Sequence, residues 1–362
     1  MAVRAMRGIL TVLILCRCTP AFPQSTLGQM AGTRLANADG HTTEDEGAIL
    51  SHLAELECAG EHGSGVADLL ERLASAYSLQ NRYTEAERVC RRALSIREAL
   101  APGDRGSGPA LLTLGTILRV AGSFAQAEKT TRRAIAVMEH DPEPDAKLLA
   151  RGRYHLALDL FGQGAFAEAQ RSARNSLELW KRAAPKEIAE VAQTNSLLGR
   201  IYVAQRKYEQ GEACHREAIA MLEGTYGRVH ATLLPARTNL ARLSLSRGQF
   251  KDAEVEARRA IAIAEVTVGE QHADWASASW VLGESLSGQK RFAEAEAFLS
   301  RAIPRLERAL GAQNPNFARA LQAEAQVLRH LRRSGEAREL EAKASSILSR
   351  RSQTVGVSSL RH

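Results

Sequence analysis

The strongest constraint on this chain is that it repeats itself every 42 residues from about residue 66 onward. A small residue in the middle of each copy moves from Ala86 to Ala127, Ala169, Gly211, Ala253 and Ala295, in steps of 41, 42, 42, 42 and 42. The same frame returns around it. The first copy reads Leu73-Ala74 and Tyr77, then Tyr83, Ala86-Glu87 and Arg92-Ala93-Leu94. The second reads Leu114-Gly115 and Leu118, then Phe124, Ala127-Glu128 and Arg133-Ala134-Ile135. Copies three to six open with Leu156-Ala157, Leu198-Gly199, Leu240-Ala241 and Leu282-Gly283, and carry Phe166, Tyr208, Phe250 and Phe292 at the aromatic position. A seventh, degenerate copy has Ala325, Leu328, Ala337 and Ala344 at matching places. Such a period marks an array of like units, each able to bury its apolar face only against its neighbours.

Within a copy, Leu, then a small residue, then a large one three further on keeps one stripe of a first helix apolar. The second helix starts near the aromatic, places a small residue three later and an Ala seven beyond that. Small residues on both helices allow their backbones to approach closely, and the aromatic is expected to fill the space at the turn between them. Short polar or Gly-containing segments (Gln80-Asn81-Arg82, Ala121-Gly122-Ser123, Gln205-Arg206-Lys207) suit tight antiparallel connections. Composition agrees: the hydrophobic fraction is 44%, mostly Ala and Leu, and aromatics are only 5%, too few for a sandwich or barrel.

Leu-Gly-x-x-Tyr followed by Ala-x-x-x-Phe is the signature that this frame resembles, that of the tetratricopeptide repeat, whose period is about 34 residues. The extra length here follows each second helix, as in Ile96-Arg97-Glu98-Ala99-Leu100 and Leu306-Glu307-Arg308-Ala309-Leu310. That longer form is similar to the repeats of kinesin light chains and their bacterial relatives. The resemblance covers residues 66–348 and implies an all-α, right-handed superhelical solenoid of antiparallel helix pairs, with first helices lining the concave side. Kinesin light chains hold peptides partly through an Asn just before the recurring Leu. Only Asn239 matches, the other copies having Arg72, Thr113, His155, Leu197, Val281 and Ala323. The Lys and Asn carboxylate clamp of chaperone-binding relatives is also missing.

The ends are expected to differ from the middle, because terminal repeats have one unpaired face. Residues 44–65 read as an amphipathic capping helix and loop, carrying Ile49, Leu50, Leu53 and Leu56. The seventh copy has Glu324 and Ser334 where others place Leu and an aromatic, which makes it the C-terminal cap, and residues 349–362 read as a polar tail. Pro304, inside a second helix, is expected to bend it. Residues 1–21 have the form of an export signal: Arg4 and Arg7, an apolar run Ile9 to Cys16, and Thr19-Pro20-Ala21 as a cleavage site. The run is too short to span a bilayer, which takes about 20 residues. This predicts a soluble exported protein, periplasmic or extracellular. A lipid anchor on Cys16 ranks second, since Leu15 stands where a small residue is usual. Residues 22–43 read as a flexible lead-in.

The formal charge of +7 shrinks once the first twenty residues are set aside, when 45 Lys and Arg face 41 Asp and Glu. Most of the arginines lie on helices beside Glu, a solvated pairing face rather than a phosphate track, so no nucleic-acid partner is expected. Cys58, Cys90 and Cys214 remain after the signal, an odd number with no Cys-x-x-Cys pair, and support neither a disulfide framework nor a zinc site. Cys90 falls on a core position. His230 and His272 recur 42 apart at the start of first helices and read as helix-start structure rather than metal ligands. No phosphate loop, nucleophile elbow, His-Glu-x-x-His or calcium loop occurs. The chain is therefore read as no enzyme, with no cofactor and no metal.

What such a solenoid offers is its inner face. Positions two before, two after and five after each recurring Leu should point inward. They include Leu112, Thr116 and Arg119; Tyr154, Leu158 and Phe161; Ser196, Arg200 and Val203; Thr238, Arg242 and Leu245; and Trp280, Glu284 and Ser287. The peptide-binding candidates are Leu112, Arg119, Tyr154, Leu158, Phe161, Arg200, Asn239, Arg242 and Trp280, aromatic and Arg types being those that carry interface energy. An extended or helical peptide or protein segment, acidic and hydrophobic, is the expected ligand. The alternative for Tyr154 and Phe161 is packing within their own hairpin. The expected function is a non-catalytic interaction scaffold, with a regulatory or recruiting subunit of a separate enzyme complex as the alternative.

Overall fold

The computed structural model describes residues 46–61, 63–100 and 106–358. The export-signal and lead-in readings lie outside the described residues. Fifteen helices and no strand make up the described chain. α1 (Glu46–Cys58) precedes seven hairpins: α2 (Ser64–Leu79) with α3 (Tyr83–Leu100), α4 (Ser107–Val120) with α5 (Phe124–Glu139), and α6 (Ala146–Gln163) with α7 (Phe166–Ala183). Then follow α8 (Ile188–Ala204) with α9 (Tyr208–Tyr226), α10 (Leu233–Ser246) with α11 (Phe250–Thr267), α12 (Ala273–Gly288) with α13 (Phe292–Leu310), and α14 (Pro315–His330) with α15 (Ser334–Ser358). Each helix packs on the next, and every first helix also touches the first helix of the neighbouring hairpin. First helices thus line the inside of a solenoid and second helices cover the outside.

The two helices of a hairpin are held together by a matched pair of side chains. The residue after the recurring Leu faces the residue four beyond the small residue of the second helix. Gly115 meets Thr131, Gly199 meets His215 and Gly283 meets Leu299; a methyl built on these glycines would come within 2.6, 2.7 and 2.5 Å of the partner side chain. In hairpins one, three and five the first helix has Ala, and the residue at the partner position is small: Ala74 with Cys90, Ala157 with Ala173, Ala241 with Ala257. The larger partners Thr131, His215 and Leu299 thus stand opposite glycine, as close packing requires. In hairpin four both backbones come very near, because Gly211 also lacks a side chain and lies against the Gly199 carbonyl.

All seven turns use one geometry. Asn81, Gly122, Gly164, Arg206, Gly248, Lys290 and Arg332 sit at positive φ, at the same place in each copy. The next residue's N–H then reaches back to a carbonyl five positions earlier, as in Ser123 to Leu118 and Lys207 to Tyr202, which satisfies carbonyls the helix end would leave open. The spacing alone predicts that the aromatic opening each second helix fills this turn, and Tyr83 does reach its own turn, its hydroxyl donating to Asn81 Oδ1 at 2.6 Å. In three other copies the aromatic lies instead over the end of the next hairpin's first helix: Phe124 covers Gly162, Phe250 covers Gly288, and Phe292 stacks on His330 at 4.1 Å. It joins hairpins to each other. The recurring Glu does the same on the surface: Glu254 accepts from Arg258 in its own helix and from Gln289 and Arg291 of the next hairpin. Exposed pairs of this kind contribute about 0–1 kcal/mol each.

Apolar packing runs along the solenoid as two large clusters, one from Ile49 to Tyr202 and one from Ala192 to Ile347. They meet at hairpin four, whose interior holds Asn195, Ser196 and His215 in place of apolar side chains. The array also curls back on itself. The Asn81 side-chain amide, in the turn after α2, donates to the carbonyl of Arg308 near the end of α13 at 3.4 Å, 227 positions away. Helix α13 continues through Pro304, and Cys90 is buried with its thiol pushed up to about 12 by burial. His272 and His230 stand at helix starts, each ring accepting an N–H two residues on, from Asp274 and Thr232. Helix α15 extends through Ser358.

Two predictions follow from this packing. Gly283→Ala should cost about 1–3 kcal/mol by overpacking, and Leu299→Ala about 2–5 kcal/mol by leaving a cavity. The double variant rebuilds the Ala–Ala pair of hairpin five, so chemical denaturation should show it losing less than the sum of the two. The second concerns Glu324, which is 8% exposed where other copies have Leu. Burial, and then the charge of Glu296, push its carboxyl up to about 7. A folded pKa above the unfolded one means its contribution is intact in mild acid and is lost as pH rises through about 7. Chemical denaturation should therefore show stability falling between about pH 4.5 and 7, and Glu324→Leu should remove most of that fall.

Candidate binding face

Three inward positions per first helix, repeated along the stack, bring side chains from neighbouring hairpins side by side. In hairpins two and three they form a closed polar network. Arg119 Nη1 donates to Asp159 Oδ1 at 3.0 Å, and Thr131 donates to Asp159 Oδ2 at 2.7 Å. Arg119 Nη2 lies 3.2 Å from His155 Nδ1, and Thr116 Oγ1 3.0 Å from the same nitrogen. An arginine can only donate, so Nδ1 accepts and the ring proton sits on Nε2. Burial holds His155 well below its usual range, and the charges of Arg119 and Arg151 add to this. Burial lifts Asp159 to about 6 against the opposing pull of Arg119. Arg119 is thus committed to its own protein. Breaking such a pair from one side costs about 3–5 kcal/mol.

The middle of the face is different. Tyr154, Leu158 and Phe161 are 5%, 3% and 1% exposed, so they form a wall, not an open patch. Phe161 touches Phe166 of its own hairpin, ring centroids 5.6 Å apart. It also supports the next hairpin: the Arg200 guanidinium lies over its ring at 4.7 Å. One hairpin further, Arg242 lies over the ring of buried Trp280 at 4.4 Å. Stacking on an aromatic face offsets part of what it costs to bury a cation. No described carboxylate comes within ion-pair distance of either arginine, and Arg200 Nη1 and Arg242 Nη2 are buried with no acceptor. Burial depresses Arg200 to about 9; the field of Tyr154 opposes this and the charge of Arg242 adds to it. Arg242 is lowered too, chiefly by burial, with Glu284 opposing. The Glu284 carboxyl is itself raised by burial and drawn back by Arg242.

The sequence candidates therefore divide. Phe161, Arg200, Arg242 and Trp280 are brought together in one run, with Tyr154 and Leu158 behind it. Asn239 stands between the hairpins and donates its side-chain N–H to Ser196 Oγ at 3.2 Å, which lies 3.2 Å from His215 Nδ1. Arg119 belongs to the polar network and Leu112 to the apolar core. Asp159 was not picked out from the sequence. Its signal was there, a charge at a place where other copies carry Ala76, Ile117, Ile201 and Leu243. His215 likewise replaces Cys, Thr, Ala or Leu of other copies; burial lowers it to about 3, and its Nε2 has no partner.

Among the described residues, no group of three or more His, Cys, Asp or Glu could hold a metal ion, and no helix is long and apolar enough to cross a membrane. No curated protein matches the chain. Among solved structures it is similar to the apo form of the quorum sensor NprR from B. thuringiensis, at 13% identity over 89% of this chain and 86% of that one, TM-score 0.63. It is similar to apo RapI at 13% identity over 79% of this chain and 99% of that one, TM-score 0.56. A Rap protein complexed with competence and sporulation factor aligns at 14% identity over 80% and 81% of the two chains, TM-score 0.57. At such identities these likenesses concern the fold. Residues 65–140, 190–265 and 275–350 match the tetratricopeptide-repeat family, and the chain belongs to that family.

Proposed function

We propose that this protein is a non-catalytic interaction scaffold that takes a peptide or protein segment along its inner face, with the run Phe161, Arg200, Arg242 and Trp280 as the seat. The observation that carries this reading is the pair of arginines on successive first helices. Each is laid on a ring and keeps a buried N–H without an acceptor, and neither has a described carboxylate within ion-pair distance. Cations kept in that condition cost stability, and a fold keeps them where a partner repays the cost. A solenoid of this fold has been crystallised with competence and sporulation factor. An acidic and hydrophobic segment suits the seat, because the two guanidiniums keep unmatched donors beside an apolar wall. The sequence of residues 1–21 supports export, and on that reading the scaffold works in the periplasm or outside the cell.

The experiment is capture from cell-envelope extract by the mature chain, beside an Arg242→Glu variant shown to be folded by circular dichroism. A control variant, Arg216→Glu, lies on the outer face of α9. Partners held by the parent and by Arg216→Glu but lost at least tenfold by Arg242→Glu support the inner face. Equal capture by all three rejects it. Amino-terminal sequencing of the protein recovered outside the cytoplasm should begin at or shortly after residue 22. Recovery only in the cytoplasm, starting at residue 1, would contradict the export reading.

A further inference from the structure

We propose that the contact between the turn of hairpin one and the end of α13 is a clasp that holds the solenoid closed around its inner face, and that its release is the step that admits a partner segment. The role in access rests on the inner-face reading above; the clasp itself does not. Units of a solenoid ordinarily touch only their neighbours. Here one circuit brings the sixth hairpin against the first. The Asn81 side-chain amide donates to the carbonyl of Arg308 at 3.4 Å, and a β-carbon built on Gly311 would stand 3.9 Å from that of Asn81. Phe161, Arg200 and Arg242 lie on first helices of the hairpins between, so closure puts that run inside the circuit.

Both sides are shaped for the contact. Asn81 fills the left-handed place of its turn, at φ 62°, which the other six turns give to Gly, Arg or Lys. Asn takes that conformation more readily than most side chains, and its amide is short enough to stay at the turn. The Tyr83 hydroxyl donates to Asn81 Oδ1 at 2.6 Å, which leaves Nδ2 as the end that meets α13. On the other side, the last carbonyls of a helix have no partner within it. In α13 the Gly311 N–H takes the carbonyl of Glu307, and the carbonyl of Arg308 receives Asn81. The clasp is thus a helix cap supplied from 227 positions away. The Arg308 guanidinium in turn donates to Gln271 Oε1 at 2.6 Å, in the loop before α12. The clasp is neutral and polar, so water replaces it on both sides when it opens. Neighbouring hairpins are joined by buried apolar side chains, so the clasp gives first.

The experiment compares three forms of the full chain, all carrying Cys58→Ser and Cys214→Ser, with buried Cys90 left in place. The parent has no other change. Asn81→Gly keeps a residue suited to positive φ and removes only the amide. Asn81→Cys with Gly311→Cys sets two thiols at a β-carbon separation that suits a disulfide. Small-angle scattering of Asn81→Gly should give a radius of gyration at least a tenth larger than the parent's, with the same circular dichroism. Oxidised glutathione should lock the cysteine pair at the parent's radius, and reduction should release it to that of Asn81→Gly. Access is read by adding Ser287→Cys, at an inward position of α12, to the parent and to Asn81→Gly. A maleimide bearing a long polyethylene glycol should label the Asn81→Gly chain at least fivefold faster, while small N-ethylmaleimide labels both alike. Equal radii, a cysteine pair that stays reduced, equal labelling by the large reagent, or a rise with both reagents (local unfolding) overturns the proposal. If that happens while Arg242→Glu still loses its partner from extract, the inner face stands and only the clasp falls. If the chain opens as described while Arg242→Glu captures like the parent, the closure stands and the inner-face reading falls.

Discussion

The approach of two helix backbones inside each hairpin is the contact on which the rest depends. It is fixed by one residue pair, Gly or Ala on the first helix against a partner on the second, and the larger partners stand opposite glycine. Gly283 meets Leu299, whereas Ala241 takes the position across from Ala257. Constant separation within each hairpin is what lets one turn geometry serve seven times, with residues at positive φ even where Arg206, Lys290 and Arg332 must occupy it. A left-handed backbone costs a non-glycine residue about 1–2 kcal/mol. That these positions accept it shows how firmly the flanking helices dictate the turn.

Equal hairpins stack with an equal step, and the step turns a sequence period into columns of side chains. Phe124, Phe250 and Phe292, at the heads of second helices, then fall on the end of the following first helix, which is why Gly162 and Gly288 are bare beneath Phe124 and Phe250. On the inside the same registry lays Arg200 on the ring of Phe161, one hairpin before it, and Arg242 on Trp280, one hairpin after it. The two arginines are thus braced from opposite directions. A single repeat could not make this arrangement, because every contact in it crosses a hairpin boundary.

Periodicity made the fold legible. Helix pairs, turn places and the buried small residues all follow from spacing that keeps one stripe apolar. The inward column was legible for the same reason, since positions two and five after the recurring Leu share a face. What spacing could not give was what each side chain meets across a boundary. Arg119 and Arg200 occupy inward positions and look alike in the sequence, yet Arg119 finds Asp159 in the next hairpin and Arg200 finds a phenyl ring. The place of the aromatic was misjudged on the same account: its distance from the turn is local information, and its contact is with the neighbour. Departures from the repeat were the available signal. Asp159, His215 and Glu324 each break the pattern of their column, and each is a buried titratable group.

Those departures cluster where the solenoid gives up apolar packing. Hairpin four lies between the two large apolar clusters, and it is also the hairpin with glycine on both helices, a neutral buried histidine and an arginine without a counter-ion. At the place of His215 hairpins five and six carry Ala257 and Leu299, and at the place of Gly211 they carry Ala253 and Ala295. The polar contents must therefore be tolerated for a reason that lies outside the free molecule. In a linear array each unit draws its stability from its two neighbours, so a weak unit in the middle can be held folded by strong ones on either side. The repeat architecture thereby allows a costly arrangement of charge at its centre that a small globular domain of single core would not sustain, and it does so at the point where the inner face is reached from both ends.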